Sequence, residues 1–195
     1  MKHKRVGLFF GSFNPIHNGH LILAELIVEK ASLDECWLIL SPHNPHKKRS
    51  SLLHQNHRLF FIQEALINHP KIKINTIEFR LPTPNYTINT LIHLKKKNPE
   101  IDFSLIMGMD NLEGFQQWRR PEEILELAKI LVYPRIGFEM PEWAENSNRV
   151  LPVSTPILEI SSTQIRERIK KGLSIFGFVP DPVAKIIEKE GFYLH

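Results

Sequence analysis

The fold of this chain is decided by the stretch VGLFFGSFNPIHNGH, residues 6–20. Val6–Phe10 is an unbroken apolar run, which is typical of a strand buried on both faces of a sheet. The run ends at Gly11, and Pro15 stiffens the following loop before helical spacing of apolar residues begins at Leu21. A buried strand that passes through such a loop into a helix is the first half of a βαβ unit.

The rest of the chain repeats this alternation. Further strand patterns occupy residues 37–40, 72–77, 103–107, 130–133 and 150–153, and helical patterns occupy 21–31, 58–67, 87–97, 121–129, 162–171 and 182–190. The pattern predicts an α/β protein with a Rossmann-like, doubly wound parallel sheet and helices on both faces. We expect one domain over residues 1–195, with a C-terminal helical segment from about residue 162.

Parallel sheets of this kind bind ligands beyond the carboxyl ends of their strands. The loops of interest therefore follow Phe10, Leu40, Met107 and Val153. Residues 41–51 and 135–149 are the longest irregular stretches.

Composition excludes several classes of protein. The net charge of +4 suits anionic ligands but is too small to indicate a nucleic-acid partner. No stretch approaches the length of a membrane span, so we expect no membrane partner. The single cysteine, Cys36, lies in an apolar run, which predicts a buried structural thiol in a reducing compartment such as the cytoplasm.

Two histidines mark the loop after the first strand. His17 and His20 stand three residues apart at a helix start, where backbone amides and the helix dipole favour an anion. Their imidazoles can donate hydrogen bonds to a phosphate. The zinc-protease pair has four-residue spacing and an adjacent glutamate, which this loop lacks. A four-histidine metal site with His43 and His46 is the weaker alternative.

A second candidate phosphate site lies near the C-terminus. Ser161 or Ser162 can cap the following helix, and Arg166 stands one turn further on. Open amides, hydroxyls and a guanidinium form an anion cradle, although a plain capped helix with a solvated arginine would show the same residues. The loop that contains His17 and His20 offers a first phosphate site, which favours the anion cradle over a plain capped helix.

Both segments resemble motifs of one superfamily. Residues 11–20 resemble the Gly-x-Phe-x-Pro-x-His-x-Gly-His signature of the nucleotidyltransferases, which is related to the His-Ile-Gly-His motif of class I aminoacyl-tRNA synthetases. Residues 161–166 resemble the Ser-Ser-Thr-x-Ile-Arg motif, which grips the β- and γ-phosphates of ATP in that superfamily. Neither a Walker A sequence nor a Gly-x-Gly-x-x-Gly fingerprint is present.

Central segments narrow the resemblance to the bacterial nicotinate-nucleotide adenylyltransferases. Lys47 stands in a Pro-His-Lys segment, residues 84–91 resemble the Tyr-Thr-x-x-Thr-Leu run, and residues 106–112 with Trp118 resemble the Gly-x-Asp-x-Leu segment and its downstream tryptophan. Residues 191–194 are similar to the closing Gly-Leu-Tyr of that family. Phosphopantetheine adenylyltransferases are usually shorter and lack this Trp118 pattern.

The resemblance implies transfer of AMP from ATP to nicotinate mononucleotide, giving deamido-NAD and pyrophosphate, with Mg²⁺ carried by the ATP. The implied catalytic residues are His17, His20, Lys47 and Arg166. The implied ATP-binding residues are Gly11, Ser12, Phe13, His17, Gly19, His20, Ser161, Ser162, Thr163 and Arg166. The implied residues for the acceptor are Asn14, Tyr86, Thr87, Gly108, Asp110, Trp118 and Arg119.

Some of these residues leave alternatives open. Asp110 can bind a ribose hydroxyl, help to hold Mg²⁺ or cap a helix. Trp118 offers a flat face for a pyridine ring but also suits a core. Arg119 replaces an aromatic residue of many family members, and Asn14 replaces a more common aspartate.

Other functions are also compatible with the sequence. The acceptor could be nicotinamide mononucleotide or phosphopantetheine, and the chain could be a non-catalytic nucleotide sensor. An RNA-binding fragment of a synthetase is disfavoured by the modest charge and the missing anticodon-binding region. The sequence leaves the oligomeric state open, a homo-oligomer included.

Overall fold

The computed structural model describes residues 3–42 and 52–194 of the chain. Its strands are β1 Lys4–Gly11, β2 Glu35–Leu40, β3 Ile72–Asn75, β4 Ile101–Gly108, β5 Lys129–Tyr133 and β6 Val150–Pro152. Its helices are α1 Asn18–Lys30, α2 Gln55–Ala65, α3 Thr87–Lys97, α4 Met109–Glu113, α5 Pro121–Leu127, α6 Glu142–Glu145, α7 Ser162–Lys170 and α8 Asp181–Glu190. Short 3₁₀ turns cover Ile77–Arg80 and Phe115–Gln117.

The strands form one parallel sheet in the order β3-β2-β1-β4-β5-β6. β1 lies at the centre, where Val6 is paired with Glu35 of β2 on one side and Phe103 of β4 on the other. The chain reverses its direction of travel across the sheet between β1 and β4, which creates a crevice beyond the carboxyl ends of these strands. The doubly wound parallel sheet predicted from the sequence is confirmed.

Two apolar cores cover the two faces of the sheet. Helices α1, α2, α7 and α8 bury their apolar residues on one face, and α3, α4, α5 and α6 bury theirs on the other. Side chains of β1 alternate between the cores, since Phe9 enters the first while Val6 and Leu8 enter the second. Burial on both faces explains why β1 is apolar at every position from Val6 to Phe10.

Most predicted elements are confirmed, with shifts at their ends. α1 begins at Asn18 and not Leu21, because extended His17 is its N-cap. α2 begins at Gln55 and not Arg58, since the His54 side chain accepts a hydrogen bond from the backbone N–H of Asn56 at 3.3 Å. The predicted strand at residues 72–77 ends at Asn75, where the chain turns into the 3₁₀ segment. The short helices α4 and α6 were missed because they contain too few residues to show a helical period.

Cys36 is fully buried, which confirms its predicted structural role. None of the helices in the described ranges is both long enough and apolar enough to cross a membrane.

Candidate active site

His17 and His20 form a single unit at the start of α1. The backbone N–H of His17 donates to His20 Nδ1 at 3.3 Å, and the two rings are stacked with centroids 3.6 Å apart. Because Nδ1 of His20 accepts a hydrogen bond, the neutral ring carries its proton on Nε2. The helix behind the pair is 13 residues long and has no acidic residue in its first turn, so its dipole favours an anion here.

His17 is held neutral. Burial of the ring, followed by the positive charge of Arg135, lowers the pKa of His17 to about 3. Its Nδ1 atom is inaccessible to solvent, and the His17 side chain forms a capping box with the backbone of His20. A neutral imidazole at a helix N-terminus binds an anion by donating a hydrogen bond, without adding a charge of its own.

Small residues allow the loop to close around these rings. A Cβ at Gly19 would lie 3.1 Å from His17 Nδ1 and 3.4 Å from the Cβ of Ile160. A Cβ at Gly11 would lie 2.8 Å from the ring of Phe13. Phe13 is buried with a left-handed φ of 44°, and its ring contacts His20 edge-on with a centroid separation of 5.0 Å. The glycines therefore create the space in which aromatic residues fix the two histidines.

Asn14 connects this loop to distant parts of the chain. Its Oδ1 accepts hydrogen bonds from the Tyr193 hydroxyl at 2.9 Å and from the Leu53 backbone N–H at 3.1 Å. Its backbone oxygen accepts from Arg166 Nη1 at 2.8 Å. The C-terminal segment and both predicted phosphate motifs therefore meet at one asparagine.

The second motif caps α7 and packs on the first. Ser161 is the N-cap, and it exchanges two hydrogen bonds with Gln164 in a capping box. The Ser162 hydroxyl donates to the backbone oxygen of Pro15 at 2.9 Å, across 147 positions of sequence. Arg166 Nη2 donates to Thr163 Oγ1 at 3.2 Å. The helix N-terminus and its arginine are thereby fixed beside the histidine loop.

A cleft of about 290 Å³ opens next to these motifs. Its lining includes Asp110, Arg135, Ile136, Phe138, Ile157 and Ser161. Arg135 Nε lies 3.6 Å from Asp110 Oδ1, and Arg135 Nη1 donates weakly to the backbone oxygen of Leu158 at 3.4 Å. Ser161 lines the cleft and caps α7, and the neighbouring Ser162 donates to Pro15 of the histidine loop, so the cleft and this loop adjoin each other.

Sequence reasoning missed Arg135. The signal was available, because Tyr133-Pro134-Arg135 directly follows β5 and therefore lies at the carboxyl edge of the sheet. The exit loop of β5 was not among those selected, since residues 135–149 show only irregular structure at the level of sequence.

Asp110 lies in the first turn of α4, and Gly108 is the N-cap of that helix. The alternative role of Asp110 as a helix cap is therefore excluded. A Cβ at Gly108 would overlap the Asp110 carboxylate, so glycine is required for the carboxylate to face the cleft. Within the part of the chain that the structure describes, no three His, Cys, Asp or Glu side chains are grouped to bind a metal ion.

Three residues implied for the acceptor, Tyr86, Thr87 and Arg119, lie at the start of α3. Tyr86 is the N-cap of α3, and Thr87 is its first residue. The guanidinium of Arg119 lies over the Tyr86 ring, 4.8 Å from its centroid. Trp118 is half-buried, and its ring packs against Phe115 with centroids 5.5 Å apart. Tyr86 and Trp118 rest on the same apolar core, on the face opposite to α7.

Comparison with known proteins identifies the family. The family model described as cytidylyltransferase-like matches residues 8–168. The chain is 48% identical over 191 residues to a probable nicotinate-nucleotide adenylyltransferase of Christiangramia forsetii, covering 97% of this chain and 98% of that protein. It is 45% identical over 190 residues to the corresponding Flavobacterium psychrophilum protein, with coverage of 97% and 98%. The chain belongs to the nicotinate-nucleotide adenylyltransferase family, whose members are nucleotidyltransferase enzymes.

Solved structures with this fold include nicotinic acid mononucleotide adenylyltransferase of Plasmodium falciparum, in complexes with NaAD and with APC. The NaAD complex matches with a TM-score of 0.82 at 20% identity and covers 98% of both chains. At that identity the likeness shows the fold alone. It agrees with the fold of this chain, a single parallel sheet flanked by helices.

The roles implied for the site residues stay predictions, and the position of Lys47 does too. Lys47 lies outside the described residues, as do His43 and His46 of the alternative four-histidine metal site. The other implied residues of the ATP site belong to the loop between β1 and α1, the start of α1 and the start of α7.

Proposed function

We propose that this protein transfers the AMP half of ATP to nicotinate mononucleotide, giving deamido-NAD and pyrophosphate. The observation that carries the proposal is the direct contact between the two phosphate motifs. Ser162 and Arg166 donate to the backbone oxygens of Pro15 and Asn14 at 2.9 Å and 2.8 Å. Two helix N-termini are thus held side by side, and each is suited to a phosphate group. Membership of the adenylyltransferase family supports the choice of substrates.

The chemistry needs no general base. The 5′-phosphate of the acceptor is already anionic, so it can attack the α-phosphorus of ATP directly while pyrophosphate leaves from the opposite side. Catalysis then consists of positioning and of stabilising the charge that builds up on the α-phosphate oxygens. We assign this task to neutral His17, to His20 and to the first amides of α1.

Cationic side chains complete the phosphate site. Arg166, fixed by Asn14 and Thr163, would offset the charge of the departing pyrophosphate together with Lys47. Arg135 adds a positive charge at the wall of the cleft. We propose that the adenosine half of ATP lies in this cleft, where Ile136, Phe138 and Ile157 supply apolar surface.

Mg²⁺ would be carried mainly by the nucleotide. Asp110 and Glu159 are the carboxylates that line the described part of the cleft. Oδ1 of Asp110 is buried without a hydrogen-bond partner among the described residues, so we assign any protein contact with the ion to Asp110. One carboxylate fits Mg²⁺, which commonly keeps several waters and binds substrate phosphates. When bound, the ion would neutralise phosphate charge.

We place the pyridine ring of the acceptor on Trp118. The ring carboxylate would accept hydrogen bonds from Thr87 and the first amides of α3, a helix with no acidic residue in its first turn. Arg119, held over Tyr86, adds a cation on the same side.

Pyrophosphate release tests the proposal directly. The protein is supplied with ATP, Mg²⁺ and one of three acceptors: nicotinate mononucleotide, nicotinamide mononucleotide or phosphopantetheine. We expect the highest kcat/KM with nicotinate mononucleotide and formation of deamido-NAD by mass. A preference for either rival would overturn the substrate assignment, and tight ATP binding without turnover would indicate a nucleotide sensor.

A further inference from the structure

Arg58 is a completely buried arginine on α2, and no acidic residue of the described ranges pairs with it. Its side chain has 0% exposure. None of the ion pairs within residues 3–42 and 52–194 includes it. Burial lowers the pKa of Arg58 to about 10, so the guanidinium stays charged at neutral pH. Burying a cation without a counter-ion costs free energy unless its N–H donors are hydrogen-bonded, so the acceptors of Arg58 indicate its role.

Backbone oxygens take up the donors of this guanidinium. Nε donates to Leu53 at 2.8 Å, Nη1 to Ser12 at 2.6 Å and Ser41 at 2.9 Å, and Nη2 to Pro42 at 3.0 Å. The four acceptors belong to three loops that are far apart in sequence: the exit of β1, the exit of β2 and the approach to α2. The planar fork of arginine can join them in one fixed geometry, and a lysine cannot.

Two of these loops border the proposed phosphate site. Ser12 lies five residues before His17 in the histidine loop, and Leu53 N–H donates in turn to Asn14 Oδ1. Ser41 and Pro42 lead into the segment that contains Lys47. The hydrogen bonds of Arg58 therefore set the distance between the loop of His17 and the loop that leads to Lys47.

We propose that Arg58 is a positioning residue for nucleotidyl transfer, which acts by holding the exit loops of β1 and β2 at the separation that the triphosphate requires. The proposal rests on the function proposed above, but its first consequence concerns ATP binding and does not depend on the acceptor. Arg58 acts through Ser12, Ser41 and Pro42, and it need not touch ATP itself.

Arg58→Lys is the test variant, and Arg149→Lys is its matched control. Arg149 is half-buried and also donates to backbone oxygens, those of Leu125 and Glu126 at 2.7 Å and 3.2 Å, at the opposite edge of the sheet. ATP affinity by calorimetry, kcat, the KM of the acceptor and the melting temperature are measured for both, at a temperature where both are folded.

We expect Arg58→Lys to weaken ATP binding about 10-fold or more and to lower kcat, because two or more of its hydrogen bonds are lost. The KM of the acceptor should change by less than about threefold, and Arg149→Lys should lose melting temperature without losing ATP affinity. If Arg58→Lys is destabilised while its ATP affinity and kcat stay at wild-type values, Arg58 is only structural and the proposal fails.

The wild-type protein provides a second test if Arg58→Lys does not fold. The Nε–H proton of Arg58 is followed by NMR with and without ATP alone. If Arg58 holds the two exit loops in the arrangement that binds ATP, bound ATP should slow the hydrogen exchange of this proton by about tenfold or more. Unchanged exchange would contradict the proposal. A wild type that binds ATP with this protection but uses none of the three acceptors would refute the proposed function and leave the role of Arg58 in positioning the loops for ATP intact.

Discussion

Arg166 and Asn14 are 152 positions apart in the sequence, and the Arg166 guanidinium donates to the Asn14 backbone oxygen at 2.8 Å. This hydrogen bond joins the two phosphate motifs and aligns the N-termini of α1 and α7. Arg166 therefore serves two purposes under the proposed function: it fixes the loop of His17 and supplies charge to ATP.

Arg166→Ala is expected to weaken the binding of ATP more than the binding of the acceptor. One charge-assisted hydrogen bond is worth roughly 1.5–3 kcal/mol, which corresponds to a loss of about 10- to 150-fold in ATP affinity. Calorimetric titration with ATP measures the loss, and Arg168→Ala is the control, since Arg168 lies on the same helix and donates to Ser174 away from the motif. Intact ATP affinity with a weakened acceptor would show that the cradle is assigned to the wrong substrate.

His20→Ala is expected to lower kcat much more than stability. Loss of one preorganised donor to a developing charge costs about 10²- to 10³-fold in rate. Steady-state kinetics and thermal unfolding are compared with His3→Ala, an exposed histidine before β1. Near-normal turnover in the His20 variant would remove this residue from the mechanism.

The depressed pKa of His17 predicts a specific loss of stability in acid. The native pKa is about 3 and the ordinary value is 6.5, so between these values the unfolded chain binds a proton that the native protein does not. The stabilisation from neutral His17 is complete above pH 6.5 and falls as the pH is lowered towards 3.

His17→Asn should remove this part of the pH dependence. Between pH 7 and about pH 4 we expect the wild type to lose on the order of 3 kcal/mol more unfolding free energy than the variant. Denaturant unfolding at both pH values provides the measurement, with His3→Asn as control. Parallel pH profiles for wild type and His17→Asn would mean that His17 titrates normally.

Trp118→Ala is expected to raise the KM for nicotinate mononucleotide by roughly 5- to 150-fold, by analogy with the ~1–3 kcal/mol of base stacking on aromatic residues. The KM for ATP should stay nearly constant, because Trp118 packs on the core opposite to α7. Because the Trp118 ring packs against Phe115, we also expect the variant to be less stable. The kinetics are therefore measured well below its melting temperature. A raised ATP KM with an unchanged acceptor KM would exclude ring stacking.

Arg119→Ala tests the choice between acid and amide. Its guanidinium lies over Tyr86 next to Thr87, where its field favours a carboxylate over a neutral amide. We expect kcat/KM to fall about 3- to 10-fold for nicotinate mononucleotide and to change little for nicotinamide mononucleotide, as for a partly screened charge. If kcat/KM fell equally for both acceptors, Arg119 would act by holding the Tyr86 ring in place and not by selecting the acid.

Features that depend on neighbours along the chain could be predicted from the sequence. Apolar runs and helical periods predicted the strands and the longer helices, because burial imposes a period of two or 3.6 residues over several turns. The motif around His17 and His20 could also be recognised, because the loop and the helix start that form it are contiguous in the sequence. The cap at His54 and the short helices α4 and α6 were not predicted, because each involves too few residues to show a period.

Contacts between residues that are distant in sequence could be seen only in the folded chain. The charge of Arg135 acts on His17, Arg58 joins the exits of β1 and β2, and Tyr193 donates to Asn14 across 179 positions. These contacts depend on strand order and loop closure, which no local period encodes. Burial of Arg58 and His17 lowers their pKa values and follows from the packing of α2 and of the histidine loop, so the electrostatics of the site appear only once the chain has folded.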